Sequence, residues 1–283
     1  MSDMPGGPTP PPPPPPPGTP PGPGGIRPRT LGEILSAAFE IYKANAAKLL
    51  LIVAVVVVPL SLIGAAIVEA VADADEETVV ILGQTETVSE RTVAAVVIGL
   101  LVGAIITIVI SAVLQAAMMR AAALATIGDP VDVEASYRWG FKRFGSVILV
   151  AILVGLSILV GFLVFIVGAI IAWVFLSVSI PALVIENRRG TEALKRSWQL
   201  VSGNFWHALL VILVAGIIAA IVSGIIGALG GDNWFVAWIF SAIAQIVTAP
   251  FSALVSVLLY LDLRARKEAL TADSLRGELA ANA

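Results

Sequence analysis

Of the 283 residues, 58% are hydrophobic and 13% charged, the formal net charge is -3, and there is no cysteine. So small a charged share, against roughly 25% in soluble domains, excludes an ordinary water-soluble globule. The missing cysteines exclude disulfides, thiolate metal sites and cysteine nucleophiles. The apolar residues come in runs of about 20 or more, enough to cross a ~30 Å hydrocarbon core at 1.5 Å per residue. The expected fold class is all-α: a polytopic membrane helix bundle of about six transmembrane helices with interfacial amphipathic helices.

Residues 1–28 are low-complexity, with an unbroken run from Pro10 to Pro17 and further prolines at Pro20, Pro21, Pro23 and Pro28. Proline fixes φ and offers no N–H, so polyproline II is expected, in a disordered tail that cannot build a core. The tail lacks the basic start and apolar stretch of a secretory signal peptide, which predicts a retained cytoplasmic extension. Thr30-Leu31-Gly32-Glu33 matches a capping box, and Leu31, Ile34, Leu35, Ala38, Ile41 and Tyr42 fall on one face, predicting an interfacial helix. The first span follows at 49–68, with a kink expected at Pro59, and then an acidic loop from Glu69 to Arg91 in which Val79 to Leu82 suit a small hairpin.

The second span is read at 93–118, ending at Arg120, with a Gly-Asp-Pro break at Gly128 to Pro130. A second amphipathic stretch, Val133 to Phe144, mixes Arg138, Lys142 and Arg143 with Tyr137, Trp139, Phe141 and Phe144. The run from Val147 to Ile185 is 39 residues without a charge. A single helix of that length would measure about 58 Å, so two spans are expected with a tight turn between Gly161 and Gly168. A third amphipathic segment, Thr191 to Val201, ends at Gly203-Asn204. The fifth span is read at 208–229, the turn at Gly230 to Asn233, and the sixth span at 234–261 with a kink at Pro250. The organisation expected is a tail at 1–28, an integral membrane domain at 29–270 and a polar C-terminal tail at 271–283.

Six spans with a cytoplasmic N-terminus put sixteen of the 17 lysines and arginines on the cytoplasmic side and only Arg91 outside, while seven acids lie between Glu69 and Glu90. The positive-inside rule therefore predicts a multi-pass inner (plasma) membrane protein with both termini cytoplasmic. An amphipathic segment followed by a helical hairpin occurs three times, from Thr30, Val131 and Thr191, an architectural repeat with slight residue identity.

Few residues carry chemistry. The span interiors, as read, hold no ionisable group, and the single histidine, His207, sits beside Trp206 at a span boundary where an amphipathic ring is comfortable without a catalytic role. Asp73, Asp75, Glu76 and Glu77 cluster but lack EF-hand spacing, so a solvated loop is favoured over a calcium site. Gln115 and Gln245, with Thr107, Ser111, Ser241, Thr248, Ser252 and Ser256, could line a path, but hydrogen bonds across helices or back to their own backbone are favoured. Gly99 and Gly103 form a GxxxG pair suited to close helix contact. No catalytic residue, metal site or cofactor is expected, and no nucleic-acid partner.

Three stretches carry a resemblance: Pro181 through Glu186, Glu192 through Trp198 and on to Trp206, and Tyr260 through Glu268. With the Thr30 to Leu51 entry helix they resemble the membrane-domain family first named from glycerophosphoryl diester phosphodiesterases, across most of residues 29–270. The resemblance covers the membrane part alone. The catalytic domain would need paired histidines and metal-binding acids, and this chain has one histidine. The candidate structural or partner contacts are Gln115, Glu186, Arg196, Trp198, Trp206, Gln245, Asp262 and Arg264. The function expected is a non-enzymatic protein organising lipids or partner proteins at the inner leaflet. The alternative is a transporter or exporter of a neutral or lipid-like substrate. The expected partners are the bilayer and a cytoplasmic protein bound by the proline run.

Overall fold

The computed structural model describes the backbone of residues 26–78, 90–164, 166–231, 234–268 and 270–282, and their side chains except at 60, 61, 63–107, 164 and 234. The described chain is all helical: α1 Leu31–Thr78, α2 Glu90–Thr126, α3 Val133–Val164, α4 Ile166–Leu176, α5 Ser179–Glu186, α6 Thr191–Val201, α7 Phe205–Ala228, α8 Trp234–Ala265 and α9 Ala272–Ala281. Six stretches are long and apolar enough to cross a membrane: Leu31–Pro59, Ile108–Thr126, Val133–Leu163, Ile166–Glu186, Phe205–Ala228 and Phe235–Ala265. This is the multi-pass helix bundle the composition requires. The proline run and Val79 to Leu82 lie outside the described residues.

Helix boundaries depart from the sequence reading where no residue stops a helix. The entry segment and first span are one helix of 48 residues, because Ala44-Asn45-Ala46-Ala47 between them contains no glycine or proline. At about 72 Å that helix is more than twice the hydrocarbon thickness. It runs on through Glu69 to Thr78, so the acidic stretch expected as loop is helical up to that point, in keeping with its alanine and glutamate content. Val133 to Phe144 likewise continues into the third span as α3, since the lone Gly145 is tolerated inside a helix. Of the three amphipathic segments expected, α6 alone is a separate helix. Thr30 makes the expected box with Glu33: Glu33 Oε2 accepts from Thr30 N at 2.8 Å and Thr30 Oγ1 accepts from Glu33 N at 3.4 Å.

The long apolar run divides within the Gly161 to Gly168 window, with α3 ending at Val164 and α4 beginning at Ile166. Gly161 and Gly168 face each other so closely that a Cβ on either would lie 2.6 Å from the other's carbonyl oxygen. The fourth span is not one helix. It breaks at Ser177 and Val178 into α4 and α5, and Pro181 is accommodated in the first turn of α5, where no intrahelical donor is lost. The break exposes backbone groups that α6 satisfies: the fully buried Ser197 Oγ accepts from Val178 N at 3.3 Å and donates to Phe175 O at 2.7 Å.

Helix α8 packs against α1, α2 and α7, and α3 packs against α2 and α4. Gly140 lets α3 approach α2 closely, since a Cβ there would meet Val113 O at 2.8 Å. Pro250 lies inside α8, and Tyr42 of α1 donates its hydroxyl to Val247 O, at 3.2 Å, in the turn the proline disturbs. The outward side chains of Leu149, Ile152, Leu156, Leu213 and Ile217 are exposed and apolar, as a lipid-facing surface requires. The core concentrates at one end, in Ala116, Leu183, Ile185, Leu254, Leu258 and Tyr260.

Both described ends of the chain meet at that end. Ile26 N donates to Leu270 O at 3.0 Å, and Ile26 packs against the core. Residues 271–282, polar on the whole, form α9, started by a Thr271–Ser274 capping box and docked by the buried Leu275 and Leu279.

Candidate functional site at the charged end

Glu186 closes α5 with its side chain only 7% exposed. Its Oε1 accepts from Arg196 Nε of α6 at 2.8 Å and from the Tyr260 hydroxyl of α8, and lies 3.4 Å from Arg264 Nε. Arg196 Nη2 also reaches Glu268 Oε1 at 2.6 Å. Arg264 bonds Glu268 at 3.1 Å and holds Glu278 of α9 through two parallel bonds of 2.8 and 3.0 Å. With Arg188 at 3.4 Å from Glu186, three carboxylates meet three guanidiniums, so the charge balances. Burial pushes the Glu268 carboxyl up, but the Arg196 and Arg264 guanidiniums outweigh it and hold it below its ordinary 4.5. For Arg196 burial acts downward, and its bonds to Glu186 and Glu268 raise it instead. This network ties α5, α6, α8 and α9 together.

A second knot surrounds Asp262, whose side chain is fully buried. Its Oδ1 accepts from Arg29 N, and its Oδ2 lies 2.9 Å from His207 Nε2 and 2.8 Å from Arg266 Nε. Arg266 Nη2 reaches on to Arg29 O at 2.8 Å. His207, expected from the sequence to sit at a span boundary without a catalytic role, has a carboxylate partner 55 residues away. Asp262 is surrounded by donors that clamp the segment ahead of α1 to α8, an anchoring arrangement. Among the described residues no group of three or more His, Cys, Asp and Glu is placed to hold a metal ion.

A third group gathers around Trp139 of α3, which is buried and donates Nε1–H to Asn282 O. Two guanidinium carbons sit by this one indole, Arg120 at 5.3 Å and Arg143 at 5.4 Å from the ring centroid. Arg143 donates to Asn187 Oδ1 and, at 3.4 Å, to Asn282 O, while Arg189 Nε approaches the same Asn187 Oδ1 at 3.4 Å. Asn187 is the left-handed C-cap of α5, with φ 56°. Arg120 is 9% exposed, and its Nε and Nη1 are buried without a hydrogen-bond partner.

Beside the networks, α3, α4 and α6 enclose an open groove of about 730 Å³. Leu153, Leu156, Val160 and Leu176 give it apolar walls, and Trp198 and Lys195 stand on α6 at its edge. Trp198 is held by stacking on Phe175, centroids 4.0 Å apart, and Phe175 in turn meets Phe205 at 5.5 Å.

Of the sequence candidates, the structure brings Glu186, Arg196 and Arg264 into one network and Asp262 into the adjoining knot. Trp198 borders the groove, while Trp206 is 73% exposed and makes only an edge contact with Phe205. Gln115 and Gln245 are apart from all of these, on the exposed faces of α2 and α8. Gln115 shares a lateral pocket of about 440 Å³ with Ser111 and Ile148. Ser241, Thr248 and Ser252 bond carbonyls of their own helix, as favoured, and Thr107 lies outside the described side chains. Sequence reasoning missed Arg120, Ser197, Glu278 and Asn282. Arg120 carried a signal, a lone cation inside an otherwise uncharged alanine-rich stretch, but it was read as the end of a span. Comparisons with protein-family models, with curated proteins and with solved structures find no match for this chain.

Proposed function

We propose that this is a non-enzymatic membrane protein that holds phospholipid at the inner leaflet of the plasma membrane, an acyl chain lying in the groove of α3, α4 and α6. The observation that carries the reading is the groove itself: apolar along Leu153, Leu156 and Val160, with the cationic Lys195 and the amphipathic Trp198 at its edge. That pairing suits a chain below and an anionic headgroup above. The charged end then faces the cytoplasm, supported by the sixteen-to-one division of lysines and arginines, and both termini are cytoplasmic. The resemblance to the phosphodiesterase membrane-domain family belongs to this proposal. It is supported by the convergence of residues from all three of its motif stretches, Glu186, Arg196 and Arg264, in one network. The proline run from Pro10 to Pro17 is the element suited to a partner protein with an aromatic groove.

The test is native mass spectrometry of protein purified in mild detergent, comparing the chain with Leu156→Trp, which fills the groove. Retained phospholipid should fall about tenfold, the factor that ~1.4 kcal/mol of lost contact gives, with the melting temperature unchanged. Equal retention by the two would sink the groove reading. The second reading, transport of a neutral or lipid-like substrate, draws on the Gln115–Ser111 pocket. Flux across proteoliposomes that is lost in Gln115→Ala while lipid retention stays intact would favour it.

A further inference from the structure

We propose that Arg120 and Arg143, with Arg189 beside Arg143, form a binding site for a phosphate group, supplied either by free phosphate or by the phosphodiester of a lipid headgroup. The site shares no residue with the groove and does not depend on that reading.

The first ground is an imbalance of charge. Among the described residues no carboxylate pairs with Arg120, Arg143 or Arg189, although Arg196 and Arg264 at the same end of the bundle are matched with acids. Of the acids nearest in sequence, Asp129 is engaged with Arg276, Asp132 with Ala135 N, Glu134 with Arg138 and Glu186 with Arg196, while the exposed Glu192 meets Arg189 only through its backbone N–H. The second ground is burial. A guanidinium 9% exposed with Nε and Nη1 unpartnered carries a desolvation cost that the Trp139 ring offsets only in part, and folding tolerates it where a ligand supplies the missing acceptors. The third is construction. Trp139 carries both Arg120 and Arg143, and Asn187 Oδ1 accepts from both Arg143 and Arg189. Neutral acceptors thus position the three cations without discharging them.

The chemistry selects the ligand class. Guanidinium forks match tetrahedral oxyanions through paired N–H···O bonds, and three adjacent positive charges favour a phosphate group over a singly charged, smaller carboxylate. Arg189 is exposed and Arg143 half-buried, so the ligand enters from the Arg189 side with Arg120 deepest.

The experiment uses the full chain and follows its melting temperature in a nonionic detergent, titrated with inorganic phosphate or with acetate at constant ionic strength. It is repeated in nanodiscs of phosphatidylcholine with and without phosphatidylglycerol. Phosphate or phosphatidylglycerol should raise the melting temperature saturably, and acetate should not. Arg120→Met should weaken the apparent affinity about tenfold or more, the scale of one lost charge-assisted contact, without lowering the ligand-free melting temperature, because the unliganded cation is itself a cost. The exposed Arg189→Gln, which leaves the core untouched, should weaken affinity about threefold and covers the case in which the Arg120 variant fails to fold. Saturation by phosphate in detergent identifies a soluble ligand, and saturation by phosphatidylglycerol alone identifies the lipid. A flat response to both, an equal response to acetate, or equal affinities for the chain and Arg189→Gln would overturn the site. Loss of lipid retention in the groove variant leaves this result unmoved, so the two readings fail separately.

Discussion

Glu186 accepts from a phenol and lies against three cations while almost wholly buried, which makes it the most exposed point of failure in the charged network. Glu186→Ala leaves the buried Tyr260 hydroxyl without its acceptor and the network with one positive charge in excess, while Arg196 keeps Glu268 and Arg264 keeps Glu268 and Glu278. The expected loss is about 1–3 kcal/mol, the penalty for a buried group left unsatisfied, read as a lowered melting temperature of the reconstituted protein. A loss under about 1 kcal/mol would mean that water reaches the cations and that the network is a surface one. The residues of this network were legible in the sequence because they stand in short motifs of charge and aromatics at the margins of spans. The partners they choose were not, since Tyr260 lies 74 residues from Glu186 and His207 55 from Asp262. Glu278 and Asn282 gave no local signal either: each acts by filling a position that α5 and α8 leave open.

At the scale of elements, spans announce themselves by length and hydropathy, and the six candidates each overlap an apolar run, the first two lying at Leu31–Pro59 and Ile108–Thr126 instead of 49–68 and 93–118. Their ends are harder, because a helix stops only where a residue stops it, and neither Ala44-Asn45-Ala46-Ala47 nor Gly145 does so. The break at Ser177 and Val178 has its cause a turn later. Pro181 has no N–H for the Ser177 carbonyl and its ring crowds it, so the helix cannot run through, and Ser197 on another helix receives the freed backbone groups. Ser197→Ala should therefore cost about 1–3 kcal/mol, the penalty for buried donors and acceptors left unmade. Amide hydrogen exchange should quicken at Val178 in particular. Unchanged protection there would show that α4 and α5 hold the break without α6. Ser197→Cys, which keeps a weak donor of similar size, should fall between the two.

At the scale of the whole molecule, the spans supply insertion and the charged end supplies assembly. Removing residues 271–283 takes away Leu275, Leu279 and the paired acceptor of Arg264, while all six spans remain. The truncated chain should still reach the membrane and lose on the order of 5 kcal/mol of stability, seen as a lower melting temperature at unchanged membrane yield. A shortened chain that melts with the intact one would make α9 an ornament of the fold. The stretch just ahead of α1 has a corresponding role. Ile26 N is held by Leu270 O, Arg29 N by Asp262, and Arg29 O by Arg266. A pull arriving through the residues before Ile26 therefore meets these bonds first, and they pass the load sideways into α8 instead of along the axis of α1. The entry helix is spared from unwinding at its first turn, and a tether attached to the N-terminal side is moored to the last span as firmly as to the first.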